Sequence, residues 1–82
     1  MKIDSTINIK NSVVIFKKKS KLIFSENSKL LFESCHVFFN GSQAKKLVIE
    51  GDYDNSILFD DCKVNISNSI FSNLSNFEND DI

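Results

Sequence analysis

The sequence has no arginine, proline or tryptophan, and its 82 residues include only two glycines, two cysteines and one histidine. Without arginine, the chain has no planar guanidinium group for two-point binding of a carboxylate or phosphate. All ten basic residues are lysine, and the formal net charge is -1. This balance gives no drive toward nucleic acid or an anionic membrane, so we expect neither as a partner.

Long apolar runs are absent as well. The longest, residues 13–16, is far shorter than the roughly 20 residues of a membrane-spanning helix, so we predict no membrane span. Residues 1–10 lack the basic stretch and apolar core of a signal peptide. We expect an extracellular or cell-surface location if the chain is part of a larger exported protein.

Cysteine and histidine are too sparse for a metal centre of the common kind. Cys35 and Cys62 stand 27 positions apart with His36 beside the first, which matches no zinc pattern with closely spaced ligand pairs. Two cysteines also do not make a disulfide framework. We therefore predict no metal and no cofactor.

Short apolar triplets recur in phase along the chain. One series occupies residues 7–9, 30–32 and 57–59, and a second occupies residues 14–16, 37–39 and 64–66. Both series return at the same two intervals, with turns rich in Ser, Asn and Lys between them. Triplets this short, rich in Val, Ile and Phe, are typical of strands and not of helices. A strand pattern that returns at this spacing predicts an all-β solenoid.

We predict one domain over residues 1–82, with three coils of about residues 7–29, 30–56 and 57–79 and three short strands per coil. Because side chains alternate along a strand, the first and third residue of a triplet point inward. The predicted inward ladders are Ile7–Leu30–Ile57, Ile9–Phe32–Phe59, Val14–Val37–Val64 and Phe16–Phe39–Ile66. In the third strand we align Leu22 with Leu47, followed by Ile70 or Phe71. A partial fourth coil begins near Leu74 and Phe77.

No cap helix is evident at either end of the predicted solenoid. Residues 1–6 and 75–82 look like polar stubs that enter or leave in mid-coil. An open solenoid end exposes unpaired backbone groups and the apolar interior. We therefore expect a segment of a larger β-helix, or a small protein that stacks on a partner or on itself.

An antiparallel meander or small barrel is the alternative. Asn40-Gly41 is a strong local hairpin signal, and residues 20–25 and 28–33 are similar enough to be two arms of a hairpin. Hairpins do not require that two series of triplets share the same intervals, so we favour the solenoid.

Four stretches carry a family resemblance: SKLIFSENSKLLF at 20–32, VFFNGS at 37–42, KLVIEG at 46–51 and VNISNSIFSNL at 64–74. They resemble repeats of the right-handed parallel β-helix, the pectin-lyase-like superfold of bacterial surface and carbohydrate-active proteins. The resemblance covers about residues 5–77. It implies a fold and not an activity, because such repeats occur in enzymes, adhesins and phage tailspikes alike.

The catalytic groups of that superfold have little counterpart here. Pectate lyases use an arginine base beside acidic calcium ligands, and this chain has no arginine. Of the four polygalacturonase motifs, only the Asp pair has a formal match, Asp60-Asp61. Neighbouring strand residues diverge, so these carboxylates should flank a turn and not divide acid and base roles. We expect no catalytic residue and no enzymatic activity.

Two further clusters have a functional and a structural interpretation. The oxygen-rich loop with Glu50, Asp52, Asp54 and Asn55 could bind Ca²⁺, or be a solvated insertion that makes the second repeat longer than the first. Cys35 and Cys62 should stack about 4.8 Å apart, which is within the range of a disulfide, but in-register neighbours have awkward Cβ geometry and we favour free thiols. Cys35 and His36 could form a nucleophilic pair only if their side chains met, and we expect adjacent strand residues to diverge.

The lysine run at residues 17–21 could bind an acidic polysaccharide or form a solvated turn. Tyr53 and the outward Phe38 could stack on a sugar ring. Together with the resemblance to the parallel β-helix, which implies a bacterial surface or exported protein, the sequence predicts a non-catalytic structural or interaction module that could contact a glycan. The alternative is a fragment of a polysaccharide lyase or glycoside hydrolase whose catalytic residues lie outside this chain.

Overall fold

A computed structural model describes residues 1–18 and 20–79, without the side chains of Glu78 and Asn79. Within these residues the chain forms short strands and turns, and no helix. The strands are β1 (Lys2–Ile3), β2 (Thr6–Lys10), β3 (Val13–Lys17), β4 (Lys21–Phe24), β5 (Lys29–Glu33), β6 (His36–Asn40), β7 (Leu47–Glu50), β8 (Ser56–Asp60), β9 (Lys63–Ser67), β10 (Ser69–Ser72) and β11 (Asn76–Asn79).

The strands form three parallel sheets. Sheet A has the order β1-β4-β7-β10, sheet B β2-β5-β8-β11 and sheet C β3-β6-β9. Each strand pairs in parallel with the strand one coil further along, so the chain is a β-solenoid of about three turns. The antiparallel alternative is wrong. Asn40, taken as a hairpin signal, ends β6 and pairs with Lys17 and Ser67 of the neighbouring coils.

The four predicted ladders of sheets B and C are confirmed. Leu30 is level with Ile7 and Ile57, and Val37 is level with Val14 and Val64. The central members of the ladders are buried, since they have a neighbour on both sides. Phenylalanine rings stack along two of these ladders. The ring centroids of Phe16 and Phe39 are 5.0 Å apart and those of Phe32 and Phe59 are 5.3 Å apart, and the rings of each pair are nearly parallel.

The register predicted for sheet A is wrong. Leu22 is level with Ile49 and not with Leu47, and Phe71 follows in the same column. Leu47 is instead level with Ser69. The offset between β4 and β7 therefore equals the offset between β5 and β8 and that between β6 and β9.

The extra length of the second repeat lies before β7 and not after it. The chain takes 6 positions to pass from Phe16 in sheet C to Leu22 in sheet A, but 10 from Phe39 to Ile49. The next step, from sheet A to sheet B, takes 8 positions in both coils. The insertion is therefore the connection of residues 41–46, and the assignment to the loop between β7 and β8 is corrected.

The two end segments are less stub-like than predicted. Ile3 is buried in β1, level with Phe24, so residues 1–6 contribute to the core. At the other end Phe77 of β11 is level with Ile57, which confirms the start of a fourth coil. Residues 80–82 of the predicted second stub lie outside the described residues.

Tight turns join sheet B to sheet C, and we call them the BC corners: residues 11–12, 34–35 and 61–62. The first residue of each has a positive φ of 52° to 54°: Asn11, Ser34 and Asp61. The side chain of the second residue donates a hydrogen bond to the backbone carbonyl two positions earlier. The donor–acceptor distance is 2.7 Å for Ser12 Oγ, 3.3 Å for Cys35 Sγ and 3.2 Å for Cys62 Sγ. Repetition of one turn in each coil keeps the strands in register.

Both glycines permit close approach of neighbouring coils. A Cβ atom on Gly41 would lie 1.8 Å from the carbonyl oxygen of Asn68, and one on Gly51 would lie 2.3 Å from that of Asn73. The Gly41 N–H also donates to the carbonyl of Ser67 at 2.9 Å. These positions are glycine because no side chain fits, and not because of φ, which is positive at neither.

Candidate functional site

The outward side chains of β3, β6 and β9 form what we call the sheet C outer face. Its three rows are Val13–His36–Lys63, Ile15–Phe38–Asn65 and Lys17–Asn40–Ser67. Val13 and Ile15 are among the most exposed apolar side chains of the described chain, at 68% and 51%. Two lysines and no carboxylate lie on this face, whereas Glu33 and Asp60 lie on sheet B and Glu50 on sheet A.

His36 and Phe38 form the centre of this face. They are two residues apart on β6, so their side chains point the same way. The imidazole ring lies against the phenyl ring, with centroids 4.1 Å apart and planes 27° apart. Nε2 of His36 donates to Oδ1 of Asn65 on β9 at 2.7 Å. The ring is thus held by contacts to two strands.

An arrangement of this kind offers groups that can contact a sugar. Planar rings and exposed aliphatic groups contact the apolar face of a sugar ring, and polar groups at the margin bind its hydroxyl groups. Lys17 and Lys63, at opposite corners of the face, add positive charge for a carboxylate-bearing sugar. The predicted outward position of Phe38 is confirmed, and it is half-buried.

The oxygen-rich loop does not gather the oxygen ligands that its calcium interpretation would require. Asn55 is fully buried, and its amide nitrogen donates to the carbonyls of Ser25 at 2.8 Å and Ser28 at 3.0 Å. Its Oδ1 accepts from the Asp52 N–H. Glu50 lies 3.6 Å from the ammonium of Lys21. In the described part of the chain, no three His, Cys, Asp or Glu side chains are placed to hold a metal ion.

Cys35 and Cys62 stack in neighbouring BC corners, as predicted, and both side chains are buried. The Cys35 N–H donates to the sulfur of Cys62 at 3.4 Å. The side chain of His36 lies on the sheet C outer face, so the two groups diverge and do not form a nucleophile–base pair.

The two aspartates also diverge. Asp60 is the last residue of β8, and Asp61 occupies the following BC corner with φ 54°. They flank a turn, as predicted from the alternation of strand side chains.

The lysine run turns from sheet C to sheet A. Lys17 ends β3, Lys18 is exposed in the turn, and Lys21 begins β4, while Lys19 lies outside the described residues. Tyr53 is 70% exposed in the loop between sheets A and B. It is therefore on a different side of the coil from Phe38, and the two aromatic residues do not form one platform.

Sequence reasoning missed the polar column that runs beside sheet B. Ser28 and Asn55 are level in neighbouring coils. The backbone oxygen of Asn55 also accepts hydrogen bonds from the N–H and the hydroxyl group of Ser75, both at 2.8 Å. The signal was present, because Ser28 and Asn55 are 27 positions apart, the same as the ladders. Alignment of the polar residues at the repeat offset, in the same way as the apolar ones, would have predicted this column.

A scan against protein-family models and searches of curated proteins and solved structures found no match for this chain. No helix long and apolar enough to cross a membrane occurs in the described part of the chain.

Proposed function

We propose that this chain is a non-catalytic interaction module, a right-handed parallel β-helical segment of pectin-lyase-like type from a bacterial surface or exported protein. Its sheet C outer face contacts an acidic glycan. The observation that carries this proposal is the fixed pair of rings, His36 on Phe38, on a face with two lysines and no carboxylate.

Three features support a binding role over a chemical one. The side chain of His36 is engaged by Phe38 and Asn65. Cys35 and Cys62 are buried and donate to the backbone carbonyls of Glu33 and Asp60. The aspartate pair diverges at a turn.

The right-handed sense of the proposed coil is supported by the general handedness of parallel crossover connections.

Binding is tested by electrophoresis of the protein through native gels that contain polygalacturonate, with a neutral β-glucan as the comparison polysaccharide. We expect retardation by the polyuronate, and less retardation as salt screens the lysines. Phe38→Ala should weaken retardation by about tenfold in apparent affinity, since one ring contact is lost.

Leu31→Ala is the matched control, because Leu31 is the half-buried central residue on the outer face of sheet B. It should leave retardation unchanged. Equal effects of the two substitutions, or no retardation at all, would refute the glycan assignment. Release of unsaturated or reducing ends from polygalacturonate by this chain alone would overturn the assignment as a non-catalytic module.

A further inference from the structure

Both ends of the solenoid expose continuations of the apolar ladders. In residues 1–18 and 20–79, strands β1, β2 and β3 pair along one edge only, and so do β9, β10 and β11. At the first end the inward residues Ile7, Ile9 and Val14 are only half-buried. At the second end Ile66 is 48% exposed and Phe77 is 37% exposed. Open parallel edges of this kind accept further strands.

The two ends match each other in sheets A and B. In sheet B, Ile7 and Phe77 belong to one ladder. Sheets A and B have four described strands and sheet C has three, so a copy placed one strand spacing, about 4.8 Å, beyond β10 and β11 continues these two sheets and leaves one strand position open between β9 and β3 of the next copy.

Sheet A continues in the same way. Met1 is level with Leu22, because its neighbour Lys2 pairs with Ile23. The column of Leu22 runs through Ile49 to Phe71, so Met1 of a second copy would follow Phe71. Met1 is 68% exposed, and its side chain is available for this contact.

Charge also differs between the ends. Residues 1–28 carry six lysines and two acidic residues, whereas residues 57–79 carry one lysine and three acidic residues. A head-to-tail contact therefore brings a basic end against an acidic one, while head-to-head and tail-to-tail contacts place like charges together.

We infer that the partner of this module is a second copy of the same chain, docked head to tail. Strands β10 and β11 of one copy pair with β1 and β2 of the next. The contact uses two different surfaces, so it does not close on itself and continues into a linear stack. This inference deepens the proposed interaction role and rests on it.

Light scattering of the purified chain during size exclusion tests the inference. The weight-average mass should rise above 9.3 kDa over roughly a hundredfold increase in protein concentration, and fall again as salt is added. A chain that stays at the monomer mass overturns the inference and leaves further coils of a longer protein as the occupant of these ends.

Two variants block one end each. Phe77→Lys places a charge at the second end of sheet B, and Ile7→Lys places one at its first end. Ile70→Lys and Ile15→Lys are their controls, because Ile70 and Ile15 lie on end strands as well but point to the outer faces, where they are 46% and 51% exposed. The end variants should be monomeric with the wild-type far-UV circular dichroism spectrum, and the controls should still stack.

Mixing the two end variants gives a result that only a head-to-tail contact predicts. Each variant retains one intact end, so an equimolar mixture should form a one-to-one dimer and nothing larger. A mixture that stays monomeric, or controls that abolish stacking as the end variants do, would overturn the inference. Should one end variant not fold, the masses of the wild-type protein and of the outer-face control still show whether the chain stacks and whether the outer face is needed for stacking.

The outcome is separable from that of the proposed glycan contact. Phe38→Ala lies on the sheet C outer face and should leave the stacked mass unchanged while it weakens polyuronate binding. Monomers that bind polyuronate would refute stacking alone. Stacks that do not bind it would refute the glycan contact alone.

Discussion

Asn55 joins three coils through one buried residue. Its amide nitrogen donates to the carbonyls of Ser25 and Ser28, and its backbone oxygen accepts from Ser75. A buried carbonyl that loses its donor keeps the full cost of desolvation, which is larger than the net value of the hydrogen bond itself.

Asn55→Ala should therefore lower the free energy of unfolding by about 2 to 3 kcal/mol. Asn55→Asp should cost more, because a carboxylate then faces carbonyl oxygens. Urea unfolding followed by far-UV circular dichroism measures both. The exposed neighbour Asp54 provides the control, and Asp54→Ala should change stability by no more than about 0.5 kcal/mol. Similar losses at the two positions would contradict the bridging role.

Gly41 has the opposite property, since its importance lies in the atoms it lacks. Gly41→Ala places a Cβ against the carbonyl of Asn68, so the coils must move apart. We expect a loss of about 1 to 3 kcal/mol or more in urea unfolding. Gln43→Ala, at an exposed position in the same connection, should be nearly neutral. A Gly41→Ala protein as stable as wild type would mean that the coils are not packed this closely.

At the scale of elements, the connection of residues 41–46 is an addition to the coil, whereas the loop between β7 and β8 is part of it. Deletion of residues 42–45 restores the 6-position step that joins β3 to β4. Shortening a surface loop changes its closure entropy only modestly. The protein that lacks residues 42–45 should therefore keep the wild-type circular dichroism spectrum, and its free energy of unfolding should stay within about 1 kcal/mol of the wild-type value.

Deletion of an equally long segment from the other loop, 52–55, is the matched comparison. It removes Asn55 and shifts β8 against β5, so the chain should unfold or lose most of its stability. If the first deletion unfolded the protein and the second did not, the position assigned to the insertion would be wrong.

The sequence predicted sheets B and C because their ladders are apolar in every coil and share the same offsets. Sheet A broke this rule. The repeat offset is shorter from β7 to β10 than from β4 to β7, and Leu47 is level with a serine, Ser69. Matching apolar residues alone therefore gave Leu47, and not Ile49, as the partner of Leu22. The face with His36, Phe38 and Asn65 could be predicted only in part, since alternation gives a side chain's direction but not the tilt that brings two rings together.

The corners were harder to predict than the strands. Seven described residues with positive φ are Asn, Ser, Asp or Tyr, and none is glycine: Asn11, Asn27, Ser34, Tyr53, Asp61, Asn68 and Asn73. Short polar side chains tolerate this conformation through local hydrogen bonds, but they are also common in ordinary loops. In an Asn- and Ser-rich chain their presence therefore marks no particular position.

The whole molecule is built from non-local pairing. Each strand pairs with a partner a full coil away along the chain, so a long loop must close before any sheet forms. We expect refolding from urea to take milliseconds to seconds in stopped-flow circular dichroism, the range of non-local β proteins. The chain has no proline, so prolyl isomerase should not change the rate. Refolding in microseconds would contradict this topology.

The hydrogen bond from Gly41 to Ser67 has a consequence for chemical ageing. An asparagine side chain followed by glycine loses ammonia when the next backbone nitrogen attacks its amide carbon, and Asn40-Gly41 is such a pair. Here that nitrogen is held by the neighbouring coil. Deamidation of Asn40 must therefore wait until β6 and β9 separate locally. Mass spectrometry of stored protein would thus record how often this part of the solenoid opens.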